Sequence, residues 1–101
     1  MKQLQVEIME NKKRHGFNTT DVNTEFLYLY GEVAEAYDAW RKKKDDLDEE
    51  LADIAIYLLG LSEILGVDLE AEIEKKMAKN KKRVYKKIDG VMTRINDDEK
   101  L

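Results

Sequence analysis

The chain has 101 residues, 43% hydrophobic and 40% charged, with five glycines and neither proline nor cysteine. That length allows one modest core that would gain from a partner subunit; the balance favours a helical globular fold over disorder or sheet, and the missing cysteines exclude disulfides and thiolate metal sites. The net charge of −4 is unevenly spread, with six acids and no base from Asp45 to Asp53 and eight bases and no acid from Lys75 to Lys87, so two opposite fields are available to face each other.

Lys2 to Arg14 places Leu4 and Ile8 at helical spacing, and Gly16 suits a left-handed stop behind Lys12, Lys13 and Arg14. Charged residues interrupt Met1 to Glu10 and the longest apolar run is short of a bilayer span, so the expectation is a cytoplasmic protein with neither leader nor membrane helix. In the connector FNTTDVN, Thr20 or Asp21 can cap a second helix whose apolar positions run Phe26, Tyr30, Val33, Tyr37, Trp40 and which ends in the cationic Arg41 to Lys44.

Asp46 and Glu49 have capping-box spacing and open a third helix through Leu51, Ile54, Leu58, Leu61 and Leu65 to Gly66. Asp68 caps a fourth, predicted to reach about Asp89 with Gly90 beyond it. The expected organisation is one all-α domain over residues 1–89, a four-helix bundle of antiparallel helices with short turns or a dimerised half of one, and a frayed tail over 90–101.

Two acidic pairs interrupt this pattern, Glu32 with Glu35 and Glu50 with Asp53. By composition alone about one four-residue window in twenty begins and ends with an acid, so spacing says little; facing says more. At about 100° per residue, Glu50 and Asp53 interleave with Tyr57, Leu61 and Ile64, and Glu32 and Glu35 lie beside Tyr28, Ala36 and Ala39. Four carboxylates in a helix interface repel one another and are expensive to desolvate without a counter-charge. A divalent cation supplies one, and an all-oxygen donor set suits Mg²⁺, with Mn²⁺ as a substitute, over zinc. The competing reading pairs these acids with lysines across a solvated face. A di-iron carboxylate site needs a histidine from each of two helices, and the only histidine, His15, reads as a helix-end residue.

Lys76, Asn80, Arg83 and Lys87 recur at four, three and four residues and so share one face of a predicted helix, on the arc of Leu69 and Ile73 that points inward. Lys75, Lys79, Lys82 and Lys86 fall toward solvent. An inward set of this kind suits an anionic ligand, whereas a surface lysine run would suit nucleic acid phosphates.

Together these residues resemble the MazG-like branch of the all-α nucleoside triphosphate pyrophosphohydrolases, whose pattern is Glu-x-x-Glu, then Glu-x-x-Asp, then Lys-x-x-x-Asn-x-x-Arg. The matching stretches are EVAE at Glu32 to Glu35, ELAD at Glu50 to Asp53 and KMAKNKKR at Lys76 to Arg83. GEVAEAYDAW and the GVDL turn are also similar to dCTP-pyrophosphatase-type members, and the likeness covers roughly Gly16 to Arg83. It departs from the pattern at Gly31, where many MazG domains carry a further glutamate, and in lacking the length of tandem-domain MazG.

The resemblance implies cleavage of a nucleoside triphosphate between the α and β phosphates, giving a monophosphate and pyrophosphate, in a homodimer or homotetramer with the site near the subunit interface. It implies Mg²⁺ on Glu32, Glu35, Glu50 and Asp53; on that arrangement our own reading makes Glu35 and Glu50 catalytic, with one glutamate, Glu35 by choice, as the base for the attacking water. Lys76, Asn80 and Arg83 would bind the phosphates. Phe17, Tyr28 and Trp40 are candidate stacking partners for a base, weighed against core or interface roles. The alternative from another class is a non-enzymatic helical module binding nucleic acid or an acidic partner through its basic fourth helix.

Overall fold

The computed structural model describes residues 1–95 and contains helices α1 (Lys2–His15), α2 (Val22–Arg41), α3 (Leu47–Ile64) and α4 (Leu69–Lys81), then strands β1 (Val84–Ile88) and β2 (Val91–Ile95). It divides into two compact units, Met1–Leu69 and the chain from Glu70 onward. No helix among the described residues is long and apolar enough to cross a membrane.

The helix ends follow local chemistry. Gly16, at φ 73°, closes α1, with its own N–H and that of Phe17 returning to the carbonyls of Lys13 and Lys12. Of the two candidate caps for α2 it is Asp21 that serves, accepting from the Thr24 N–H at 3.2 Å and the Thr24 hydroxyl at 2.7 Å. Asp46 does occupy the N-cap of α3, but its side chain makes no capping hydrogen bond, so the expected capping box is not formed.

Within the first unit α3 packs against both α1 and α2. The contacts run antiparallel: Tyr28 meets Tyr57 edge to face with ring centroids 6.0 Å apart, while Glu32 and Glu35 lie by Glu50. The helices approach on small residues. Ala36 and Ala39 of α2 are buried, as are Leu59, Gly60, Leu61 and Ser62 of α3. A Cβ added at Gly60 would stand 3.3 Å from Ile8 Cγ2 and 3.6 Å from Lys12 Cδ, so glycine is what lets α1 lie this close to α3. Gln5, fully buried, fastens the start of α1 to the turn after α3. Its Nε2 donates to the Val67 carbonyl at 2.8 Å and to Glu63 at 3.2 Å, and its Oε1 accepts from the Leu69 N–H at 2.9 Å.

The apolar stripe of α2 does not face α3. Phe26, Tyr30, Val33, Tyr37 and Trp40 are all exposed, Tyr30 at 70% and Trp40 at 63%, because the buried side of α2 is made by Glu25, Ala36 and Ala39. Leu51 and Leu58 of α3, and Leu65 just past its end, are likewise exposed.

The expectation of a fourth helix reaching Asp89 is corrected: α4 stops at Lys81 and the chain turns into an antiparallel hairpin pairing Val84 with Ile95 through Ile88 with Val91. The reason is the Asp89–Gly90 pair. Both have positive φ, 51° and 82°, as a two-residue turn matching strand twist requires. Flanking Val84, Tyr85, Ile88, Val91, Thr93 and Ile95 have strand-favouring shapes. Val91–Ile95 is therefore strand, not frayed tail; the remainder of that expectation, residues 96–101, lies outside the described residues. Lys87, expected on the face of Lys76, Asn80 and Arg83, sits in β1 and leaves that helical series.

Candidate functional site

The sequence of α2 places Glu25, Tyr28, Glu32 and Glu35 at intervals of three, four and three residues, one stripe along the helix. In α3, Glu50, Asp53, Tyr57 and Gly60 form the matching stripe. Run antiparallel, the two stripes meet as an acidic end, an aromatic middle, and an end where α1 crosses.

At the acidic end, one carboxylate oxygen from each of Glu32, Glu35 and Glu50 lies within 4.8 Å of the other two. Oε2 of Glu32 and Oε2 of Glu50 are buried with no hydrogen-bond partner. Loss of water, then repulsion from Glu35 and Asp53, raises the Glu32 carboxyl above the usual 4.5. The Glu50 carboxyl is raised in the same way, by loss of water and then by Glu35, Asp46 and Asp53. Of the four acids expected to converge, three do so closely; Asp53 lies outside that trio, although its charge is felt at both Glu32 and Glu50. Two orphaned, repelling oxygens in an all-oxygen set fit a hard divalent cation, which would neutralise the charge and fill the empty lone pairs. No lysine or arginine forms an ion pair with these three glutamates among the described residues.

In the middle, Tyr57 adjoins both ends. Burial raises its phenol above the ordinary value, followed by the charges of Glu32 and Glu25. Beyond it opens a cavity of about 670 Å³, with apolar walls including Ile8, Phe17, Tyr28 and Tyr57, and polar groups from Lys12, Asn18 and Glu25. Glu25 is 1% exposed; one of its oxygens takes a short ion pair from Lys12 and the other accepts from Asn18 Nδ2 at 3.1 Å. The Lys12 ammonium also lies 5.8 Å from the centre of the Tyr57 ring.

Two of the three aromatic candidates, Phe17 and Tyr28, line this cavity. Trp40 does not; it borders a separate cavity of about 430 Å³ with Arg41, Lys43, Lys44 and Leu47. His15 stands in the last turn of α1 and stacks on Phe17 at 5.4 Å. Lys12, Asn18, Glu25 and Tyr57 were not singled out by sequence reasoning. The available signal was the stripe itself, since Glu25 continues the Glu32–Glu35 face of α2 by seven residues.

In the second unit, Lys76 and Asn80 lie on α4 and are exposed, while Arg83 follows the end of that helix and is half-buried. The charge of Arg83 first, then some loss of water and the charges of Lys79 and Arg94, lower the Lys76 amine from its ordinary value. Arg94 is thus a further cation of this cluster, brought there by the hairpin that the sequence reading did not foresee. Arg83 Nε is buried without a hydrogen-bond partner.

Neither a curated protein nor a solved structure matches the chain. A family model does match, over residues 23–97, which takes in both acidic pairs, Tyr57 and the Lys-Asn-Arg segment. On that match, covering most of its length, the chain belongs to the MazG-like family.

Proposed function

We propose that this protein is a Mg²⁺-dependent nucleoside triphosphate pyrophosphohydrolase, cleaving an NTP or dNTP between the α and β phosphates to give the monophosphate and pyrophosphate. Family membership suggests a function of the pyrophosphohydrolase type. The observation that carries the finer reading is the Glu32–Glu35–Glu50 convergence with its two orphaned oxygens and no cationic partner among the described residues.

In this reading Glu32, Glu35, Glu50 and Asp53 hold the cation, with Mn²⁺ able to replace Mg²⁺. When bound, the ion supplies Lewis-acid polarisation of phosphate oxygens and lowers the pKa of a water. A carboxylate oxygen of Glu35 accepts the proton of the attacking water, and Glu50 keeps the opposite wall of the acidic site anionic. Lys76, Asn80 and Arg83 take phosphate oxygens and offset the charge that builds on departing pyrophosphate, with Arg94 adding to the same cluster. The cavity beside Tyr57 receives the nucleoside, with Phe17 and Tyr28 offering ring faces to the base.

The protein works on the cytoplasmic nucleotide pool as a homodimer or homotetramer. Support for self-association is the exposed row Phe26, Tyr30, Val33, Tyr37, Trp40, an apolar face that one chain leaves uncovered.

The test is pyrophosphate release from a panel of ordinary and modified triphosphates, with and without Mg²⁺, for wild type and Glu50→Gln. Turnover that needs the metal and is lost in the variant supports the reading. A folded wild type inert on every member would favour the interaction module, and full activity in Glu50→Gln would refute the metal-ligand assignment.

A further inference from the structure

Glu25 presents a problem that the pyrophosphohydrolase reading leaves unanswered. It is buried to 1% exposure on the wall of a largely apolar cavity, and its partner Lys12 retains only 12% exposure. Holding α1 against α2 does not call for charge, since two apolar side chains of similar volume do that as well or better, and a buried ion pair returns little net stability. What the pair adds is chemical: a donor and an acceptor, side by side, in a place otherwise suited only to rings.

Its bonding capacity is not exhausted. The ammonium has three N–H donors, of which one goes to Glu25 and another can face the Tyr57 ring. The carboxylate has about four lone-pair sites and receives Lys12 on one oxygen and Asn18 on the other. Asn18 is itself fixed, its Nδ2 donating to the Asp21 carbonyl at 2.8 Å and its Oδ1 accepting from the Asp21 N–H at 3.0 Å, so the acceptor is held from the turn that caps α2. The cavity, at about 670 Å³, is within the usual range for small-molecule sites. Glu25 and Glu32 are seven residues apart on one face of α2, roughly 10 Å of helical rise, which is the order of length of a nucleoside.

Resting on the reading above, we propose that Lys12 and Glu25 are the specificity-determining residues for the base, and that they select lactam bases, those with a carbonyl beside a ring N–H: uracil, thymine, guanine and hypoxanthine. Lys12 donates to the exocyclic oxygen while Glu25 accepts from the neighbouring ring N–H, two adjacent charge-assisted hydrogen bonds to one edge. Adenine and cytosine set a ring nitrogen beside an amino group; the ring nitrogen can take the ammonium, but an amino N–H is much less acidic than a lactam N–H and is the poorer donor to the Glu25 carboxylate. A neutral base meets a pair whose charges cancel, so neither ion is left bare when the cavity is empty.

The experiment compares kcat/KM for dTTP, dUTP, dGTP and dITP with that for dATP and dCTP, in wild type and in Lys12→Met/Glu25→Leu, a double change that removes both charges and orphans neither. Wild type is expected to favour the lactam group by about tenfold, the margin that one stronger hydrogen bond to a charged carboxylate supplies. In the double variant the ratio falls toward one, mainly through KM. A purely architectural pair would lower every substrate by one factor and leave the ratio standing, which overturns the proposal, as does a wild type that prefers dATP or dCTP. A second measurement requires no turnover and no variant: wild-type protein titrated by NMR with thymidine and with deoxycytidine, following the Asn18 side-chain amide. Selective shifts with thymidine support the assignment; equal response or none removes it. Failure of pyrophosphate release across the whole panel would instead strike at the hydrolase reading, and the titration separates the two.

Discussion

Glu25 and Glu32 share one face of α2, and both have lost water, but the fold treats them differently. Glu25 is matched by Lys12 and Asn18, so its charge is closed within the chain. Glu32 meets Glu35, Glu50 and the field of Asp53 with no ion-pair partner among the described residues, and loss of water and this repulsion push its carboxyl up. The contrast separates a carboxylate whose charge is neutralised within the fold from one whose charge is left unmatched. Burial of acids alone would not have told them apart; the identity of the neighbours does.

The largest effect should come from opening the closed pair. Lys12→Met leaves Glu25 buried and unpaired and should lower stability by about 3–5 kcal/mol in chemical denaturation, with Lys12→Met/Glu25→Leu recovering most of the loss. A single variant as stable as wild type would mean that water reaches Glu25 freely. Next, Glu50→Gln should cut pyrophosphate release by about 100-fold or more, since losing even an outer-shell partner of a metal ligand costs about 10–100-fold. Its metal-free stability should hold or rise, because a repelling charge has gone. A fall in metal-free stability would place Glu50 among structural groups instead.

Asp53→Asn sharpens the division inside the acidic end. Its oxygens lie outside the close trio, so the Mg²⁺ concentration for half-maximal activity should rise by about tenfold or less, below the effect of Glu50→Gln. Equal losses would put Asp53 on the same footing as the other three. The smallest effect is on pH dependence. Glu32 and Glu50 titrate above the ordinary 4.5 in the fold, so between the unfolded and folded values the native chain holds more protons. Stability from this source is full below 4.5 and is lost as pH rises through the raised values. The metal-free Tm should therefore decline over that rise, and added Mg²⁺ should raise Tm more at pH 8 than at pH 5, read by thermal melts in paired buffers.

How much of this was legible in the sequence depended on whether the relevant pattern is local. The four helices, the Gly16 stop and the convergence of three acids follow from periodicity and end signals within each segment. Asp89–Gly90 was misread because the same dipeptide serves a helix end and a hairpin turn, and the β-branched residues on either side decide between them. Phe26, Tyr30 and Trp40 belong to the most apolar stripe of α2, yet the helices close on Ala36, Ala39 and Gly60 and the large rings are left outside, which periodicity alone does not reveal. Lys12 with Glu25 was invisible for another reason: an ion pair between helices is set by how α1 crosses, and no spacing along the chain encodes that.

The way Gln5 is held has a consequence for where that crossing falls. Its amide gives protons at one end and receives one at the other, so an acid, a lysine or a leucine of similar length could each satisfy at most part of the arrangement. Sliding α1 by a single turn would break all three bonds at once, in a place closed to replacement water. One neutral side chain thereby indexes the height of Ile8 and Lys12 against Gly60, and the cavity wall keeps its level although none of its own residues supplies the latch.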